Sequence, residues 1–167
     1  FQKKITLLLI YLIKYFLNAH GESMRSLVTG HKPILNEIVL GVILTPLLVV
    51  CAIGGLLLIR AIAPSLSNAT NNPLEAMIST PLRAILFGLV VVTAGGFREE
   101  LQRAFILRRF EQHLGGGWLG LLLFSILFGL GHRLQGWDAV IMTGILGAFW
   151  GILYLLRRNA VTSMVSH

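Results

Sequence analysis

Charge is scarce in this chain. Asp, Glu, Lys and Arg make up 13% of its 167 residues, where soluble domains carry about 25%. That shortage excludes an ordinary soluble domain, and the mean hydropathy of +0.78 points the same way. The 14 Lys and Arg outnumber 7 Asp and Glu, giving a formal net charge of +7. Such an excess raises the question of nucleic acid. No basic stripe with interleaved aromatics lies on a polar segment, however, and nucleic acid is excluded as a partner. Cysteine is nearly absent. Cys51 stands alone inside an apolar run, so no internal disulfide can form and the thiol reads as a packing residue. There is no internal repeat and no second domain. Ile5–Leu17 is followed by Asn18-Ala19-His20, which lacks the small-residue pattern of a cleavable signal peptide. Opening at Phe1 and closing at His167 within an apolar stretch, the chain reads as a piece of a longer protein.

What is present is a series of apolar runs close to the roughly 20 residues that cross a hydrocarbon core. Ile5–Leu17 is short and interrupted by Lys14, and reads as part of a span or as an interfacial helix. Asn18–Asn36 is a polar loop. Ile38–Leu58 is a clear span, with Pro46 as a candidate kink. Ala61–Pro81 is a loop rich in Ser, Asn and Pro, in which Asn68-Ala69-Thr70 matches a glycosylation sequon by chance. Leu82–Phe110 reads as one long helix with charges inside it and Gly95-Gly96 as its weak point. Gly115-Gly116-Gly117 makes a turn. Trp118–Leu130 and Trp137–Leu156 follow, and a last segment begins near Ala160. Arg25 and Lys32, Arg108 and Arg109, and Arg157 and Arg158 all fall on one side, as the positive-inside rule expects. Gly147 and Gly151 form a GxxxG, a close-packing signal. The expectation is an all-α, polytopic transmembrane helix bundle, with membrane lipid as its surroundings. Residues 1-80 hold N-terminal spans and loops, and residues 81-167 hold a core.

Four ionisable residues, Arg98, Glu99, Glu100 and Arg103, interrupt a membrane-compatible helix. At a helix centre each Asp, Lys or Arg costs about 2.5–3.5 kcal/mol on insertion scales. Such groups therefore sit at an interface or pair inside a protein-lined, wet cavity. Depth favours the cavity. Glu99 is about 15 Å from Arg109 along the helix, His132 about 21 Å from Trp118, and His167 about 13 Å from Arg158. All three depths count from the same side, so the groups can meet. Glu99 and Arg103 are i,i+4, and Glu100 and Arg103 are i,i+3. One glutamate can be held by the arginine while the other stays free as a general base.

Glu99-Glu100 with Arg103, then Phe128-Gly129-Leu130-Gly131-His132, then His167, resemble the three motifs of the CAAX protease/Abi family, also called CPBP intramembrane peptidases. The resemblance covers about Pro81–His167. It departs from the family's Glu-Glu-x-x-x-Arg, because only two residues separate Glu100 from Arg103. Aligning on the arginine puts Arg98-Glu99 where the glutamate pair falls. Either Glu99 or Glu100 is then the base, and Glu99 is favoured for its i,i+4 relation to Arg103. The resemblance implies an endopeptidase acting on membrane-delivered or prenylated peptides and proteins. In it a glutamate and His132 activate a water, and His167 holds the water or the oxyanion. His132 and His167 with Glu99 also make a set that a divalent metal such as zinc accepts. No HExxH accompanies them, and a metal-free site is the favoured reading. The rival is a non-catalytic immunity or scaffold protein of the same fold.

Overall fold

The computed structural model describes residues 2–69 and 78–167. The described residues form helices and no strand, as apolar runs of helical length predict. α1 (Gln2–Ala19), α2 (Met24–Val28) and α3 (Ile34–Ile62) come first. α4 (Pro81–His113) follows, then α5 (Gly117–Leu130), α6 (Trp137–Arg157) and α7 (Val161–Ser166). Among the described residues, α3, α4 and α6 are long and apolar enough to cross a membrane.

Several boundaries differ from the sequence reading. The polar stretch 18–36 contains α2 and the first turn of α3. The stretch 61–81 begins with the end of α3 and a short turn of helix, Pro64–Leu66. Thr70 of the sequon lies outside the described residues. Pro46 does not end α3, which continues through it to Ile62. Cys51, expected in packing, is exposed on α3. The run Trp118–Leu130 gives a helix of only 14 residues, about 21 Å long, which is shorter than a hydrocarbon core of about 30 Å.

α3 and α6 run antiparallel and are tied at both ends by ion pairs. At one end the buried Glu37 accepts hydrogen bonds from Arg157 Nε at 2.8 Å and Nη2 at 2.5 Å, and from Thr162 Oγ1 at 2.6 Å. At the other, Arg60 Nε donates to Asp138 Oδ2 at 2.8 Å. The arginines that mark topology in the sequence are therefore also structural ties. Arg108 and Arg109 both pair with Glu22 from the α1–α2 turn, and Arg158 pairs with Glu111. The turn into α7 is fixed separately. Arg158 adopts a left-handed conformation (φ 55°) at the end of α6. The Asn159 amide then donates to the Thr29 carbonyl at 2.5 Å, while its oxygen accepts from the Val161 N–H at 2.8 Å. α7 packs on α3 at Gly41, where a Cβ would lie 2.6 Å from Val165 Cβ.

Two predictions follow from these ties. Glu37→Ala leaves Arg157 without its carboxylate and should lower stability by about 2 kcal/mol. That is less than the roughly 3–5 kcal/mol of a fully buried pair, because the Arg157 side chain keeps 29% exposure. Thermal unfolding of the purified protein measures it, and an unchanged midpoint contradicts it. The second concerns Glu22. Burial raises its pKa, but hydrogen bonds from Gln112 and Arg109 and the charge of Arg108 more than offset this and hold it below the ordinary value. A depressed carboxylate contributes stability above its unfolded pKa of about 4.3 and loses it as pH falls through the lower folded value. Protease cleavage of the 20–23 turn should therefore increase only below about pH 4, and Glu22→Gln should remove that pH dependence.

Candidate active site

The middle of α4 is not regular. Val91–Glu99 winds as a π-helix between α-helical segments Pro81–Val90 and Glu100–His113. Wider π turns inside α-helices are frequent at functional sites. The one long helix expected from the sequence is thus continuous but locally rewound, and the rewinding contains Gly95-Gly96. The reason for two glycines is the approach of α7. A Cβ on Gly95 would lie 3.1 Å from the His167 ring, and one on Gly96 would lie 2.8 Å from the Met164 carbonyl oxygen. Any larger side chain would push His167 away from α4.

Immediately after the π segment, Glu100 and Arg103 form an ion pair with both side chains 1% exposed. His167 Nδ1 donates to the same Glu100 oxygen, Oε1, at 2.7 Å. The Arg103 guanidinium carbon lies 4.8 Å from the Phe128 ring centroid, 5.3 Å from Phe124 and 5.6 Å from Trp150. Among the described residues its Nε and Nη2 have no hydrogen-bond partner, so ring faces supply what oxygens do not. The favoured i,i+4 pairing of Glu99 with Arg103 is thereby corrected, since the arginine takes Glu100 at i,i+3. Adjacent helical residues point about 100° apart, so the two glutamates cannot both face Arg103. Glu99 meets Arg98 Nη2 at 3.3 Å instead, and its Oε2 lies 3.6 Å from His167 Nε2.

His132 arrives from beyond the end of α5. Its Nδ1 lies 2.9 Å from the Phe128 carbonyl oxygen. Because a carbonyl only accepts, Nδ1 carries a proton, and in the neutral tautomer this makes Nε2 the acceptor. Phe128 edges both imidazoles, with ring centroids 5.1 Å from His132 and 6.3 Å from His167. Glu99 and His132 both line a cleft of about 440 Å³, together with Arg98 and Gln102, against walls that include Ile106, Phe124, Leu127 and Phe128. A larger groove of about 550 Å³ between α5 and α6 is almost wholly apolar and contains none of these groups. The structure thus brings Glu99, Glu100, Arg103 and His167 into one network, with His132 across the Phe128 ring. Glu99 and His132 face the cleft, and Glu100 and Arg103 are sealed behind it. Among the described residues no three His, Cys, Asp or Glu side chains are grouped as metal ligands. No chemical step is derived through a metal at His132, His167 and Glu99.

Sequence reasoning missed Trp150 and Ser166. Trp150 stacks on His167 with ring centroids 4.0 Å apart and planes 3° apart, and its Nε1 donates to Ser166 Oγ at 3.1 Å. The signal was available: Trp150 is eight residues before Arg158, about 12 Å deep on the same count that located His167. It stands inside the GxxxG, whose Gly147 does serve packing, since a Cβ there would meet Phe128 at 2.7 Å.

No curated protein and no solved structure matches the chain. Residues 80–167, more than half of it, match the family described as type II CAAX prenyl endopeptidase, Rce1-like. The matched region runs from the start of α4 to His167 and so contains every residue of the network and of the cleft beside it. With the sequence motifs and this match in agreement, the chain belongs to the Rce1-like family of type II CAAX prenyl endopeptidases.

Proposed function

We propose that the protein is a multi-pass intramembrane endopeptidase that hydrolyses peptide bonds in membrane-associated or prenylated peptides, using a water activated by Glu99 and His132. One observation carries this reading. Of two adjacent glutamates, Glu100 is sealed with Arg103, and Glu99 is left at a cleft shared with His132. The Glu99 carboxylate and His132 Nε2 are both acceptors. A water donating one hydrogen to each has its remaining lone pairs free for a carbonyl carbon. Glu99 takes the proton as the water attacks, and returns it to the leaving amine. His167 is fixed by Trp150 and Glu100 with Nδ1 as donor, and its Nε2, when it also carries a proton, donates to the oxyanion beside Glu99. Glu100 and Arg103 position these groups and do not touch substrate.

This division of labour predicts two different failures. Glu99→Gln and His132→Ala should each lower peptidase activity at least about a hundredfold, the lower end for general acid–base groups, while leaving the melting temperature unchanged. Glu100→Gln should lower activity and melting temperature together, because it strands a buried guanidinium. Cleavage of an apolar fluorogenic peptide, measured beside thermal unfolding, separates the two. Full activity in both Glu99→Gln and His132→Ala would end the hydrolytic assignment and favour a non-catalytic scaffold.

Gly95→Val gives an independent check, since it removes no reactive group. It should displace the His167 ring and cut activity at least about tenfold, and Gly54→Val, whose Cβ position is open, should not. Equal activity in the two variants would contradict the placement of His167 in the reaction.

A further inference from the structure

The cations at one end of the bundle are not all used alike. Arg108 and Arg109 pair with Glu22, Arg157 with Glu37 and Arg158 with Glu111. Arg25 on α2 and Lys32 just before α3 stand at the same end, and among the described residues neither has a carboxylate at ion-pair distance. The nearby acids are taken. Glu22 is held by the two arginines, and Glu37, which feels the charge of Lys32, is buried against Arg157 and Thr162. Arg25 and Lys32 instead line a hollow of about 410 Å³, with Ser23, His31 and Ile34 among its other walls and no Asp or Glu. None of these residues lines the cleft of Glu99 and His132.

The hollow is built on a turn that is already fixed. The Ala160 N–H donates to the Val28 carbonyl at 2.7 Å, and the Asn159 amide holds the Thr29 carbonyl. Gly30 is left-handed (φ 54°), and a Cβ there would overlap the Arg158 carbonyl oxygen. The wall is thus docked on the α6–α7 junction, so little of it has to be ordered by a ligand. Ser23 Oγ accepts from the Ser26 N–H at 3.0 Å, which leaves its own O–H to donate. Position then narrows the ligand. Ile34, on the hollow's wall, opens α3, which is long and apolar enough to cross a membrane. Leu35, Ile38 and Val42 continue from it as exposed apolar side chains. An acyl chain lying along them has its headgroup level with Arg25 and Lys32.

We propose that this hollow is a phosphate-binding site, with the Arg25 fork, the Lys32 ammonium and the Ser23 hydroxyl as its donors. An arginine fork matches phosphate oxygens two at a time, and a lysine adds a mobile point charge. Basic pockets beside membrane helices on the positively charged side suit anionic lipid headgroups. Two sources supply the group, the headgroup of an anionic phospholipid or free phosphate, and the apolar face of α3 below the hollow favours the headgroup.

Two measurements on the purified protein test this. Native mass spectrometry from micelles holding equal amounts of phosphatidylglycerol and phosphatidylcholine counts retained lipid, and equilibrium dialysis against radiolabelled inorganic phosphate reads the free anion. Retention of phosphatidylglycerol at least about tenfold above phosphatidylcholine is expected, the size of two cations facing one anionic headgroup. That preference identifies the headgroup as the source, and phosphate binding without it identifies the free anion. Arg25→Gln and Lys32→Gln should each weaken the bound species about fivefold. Lys14→Gln, which removes the same charge from an exposed position on α1, should not. If a glutamine variant does not fold, Arg25→Lys takes its place and should lose part of the binding, since lysine lacks the fork. Absence of both the lipid preference and phosphate binding overturns the proposal. So does binding that Lys14→Gln weakens as much as Arg25→Gln or Lys32→Gln, because the attraction then belongs to net charge and not to the hollow.

Discussion

The interaction on which the site depends is the buried contact of Arg103 with Glu100. Burying either ion alone costs several kcal/mol, and a bare pair often fails to recover that. Here the surroundings supply the remainder. His167 gives Glu100 a second donor, and three aromatic rings present their faces to the guanidinium. The contributions come from three helices: Phe124 and Phe128 from α5, Trp150 from α6, and His167 at the end of α7. The pair is therefore stable only when all of these helices are docked on α4, and the docking of α7 is what brings His167 beside Glu99. A polar group that would be a defect in an isolated helix becomes the point where four helices register their depth.

That contact also decides what two neighbouring glutamates do. Once Arg103 takes Glu100, helical geometry turns Glu99 to another face, towards the cleft. The π segment ending at Glu99 sets where that face lies, and its glycines admit α7 closely enough for one imidazole to approach both carboxylates. The shortened spacing in this chain, Glu100 to Arg103 at i,i+3, is thus compatible with a buried pair and a separate exposed acid. On the proposed reading the two acids divide structural support and chemistry between them.

Much of this was legible in the sequence. Apolar run lengths gave the helices, and counting residues inward from Arg109, Trp118 and Arg158 brought Glu99, His132 and His167 to compatible depth. Depth is linear in residue number, so one sequence suffices to read it. Azimuth around the helix is not so easily read. A regular helix makes Glu99–Arg103 the more attractive pair, and neither the π winding nor the preference of Arg103 for Glu100 is encoded in spacing alone. Trp150 was passed over because its flanking glycines signalled packing, and packing and support of His167 are here one function. Glu22, Glu37, Glu111 and Asp138 were missed as partners of the boundary arginines because the pairs join distant segments. Counting charge at helix ends gives orientation but not contacts.

The distribution of those ion pairs bears on how the cleft can work. Glu22, Glu37 and Glu111 fasten α1, α3 and α4 to one end of the bundle, and Asp138 fastens α6 to α3 at the other. Between these ends the outward faces are exposed apolar side chains, including Val42, Val92, Leu127 and Leu156. Fixing the ends holds the depth of each helix, while the middle is held by the Glu100–Arg103–His167 network, the rings around Arg103 and apolar contact. The cleft lies between α4 and α5, where Ile106 and Leu127 line it together with Glu99 and His132. An extended apolar peptide can replace those side-chain contacts with its own at little cost, whereas a hydrated polar chain would have to shed water against Ile and Leu. On the proposed reading, a preference for apolar peptides follows from where the fold puts its charges: at the ends to fix depth, at one buried pair to fix register, and at Glu99 on the cleft wall.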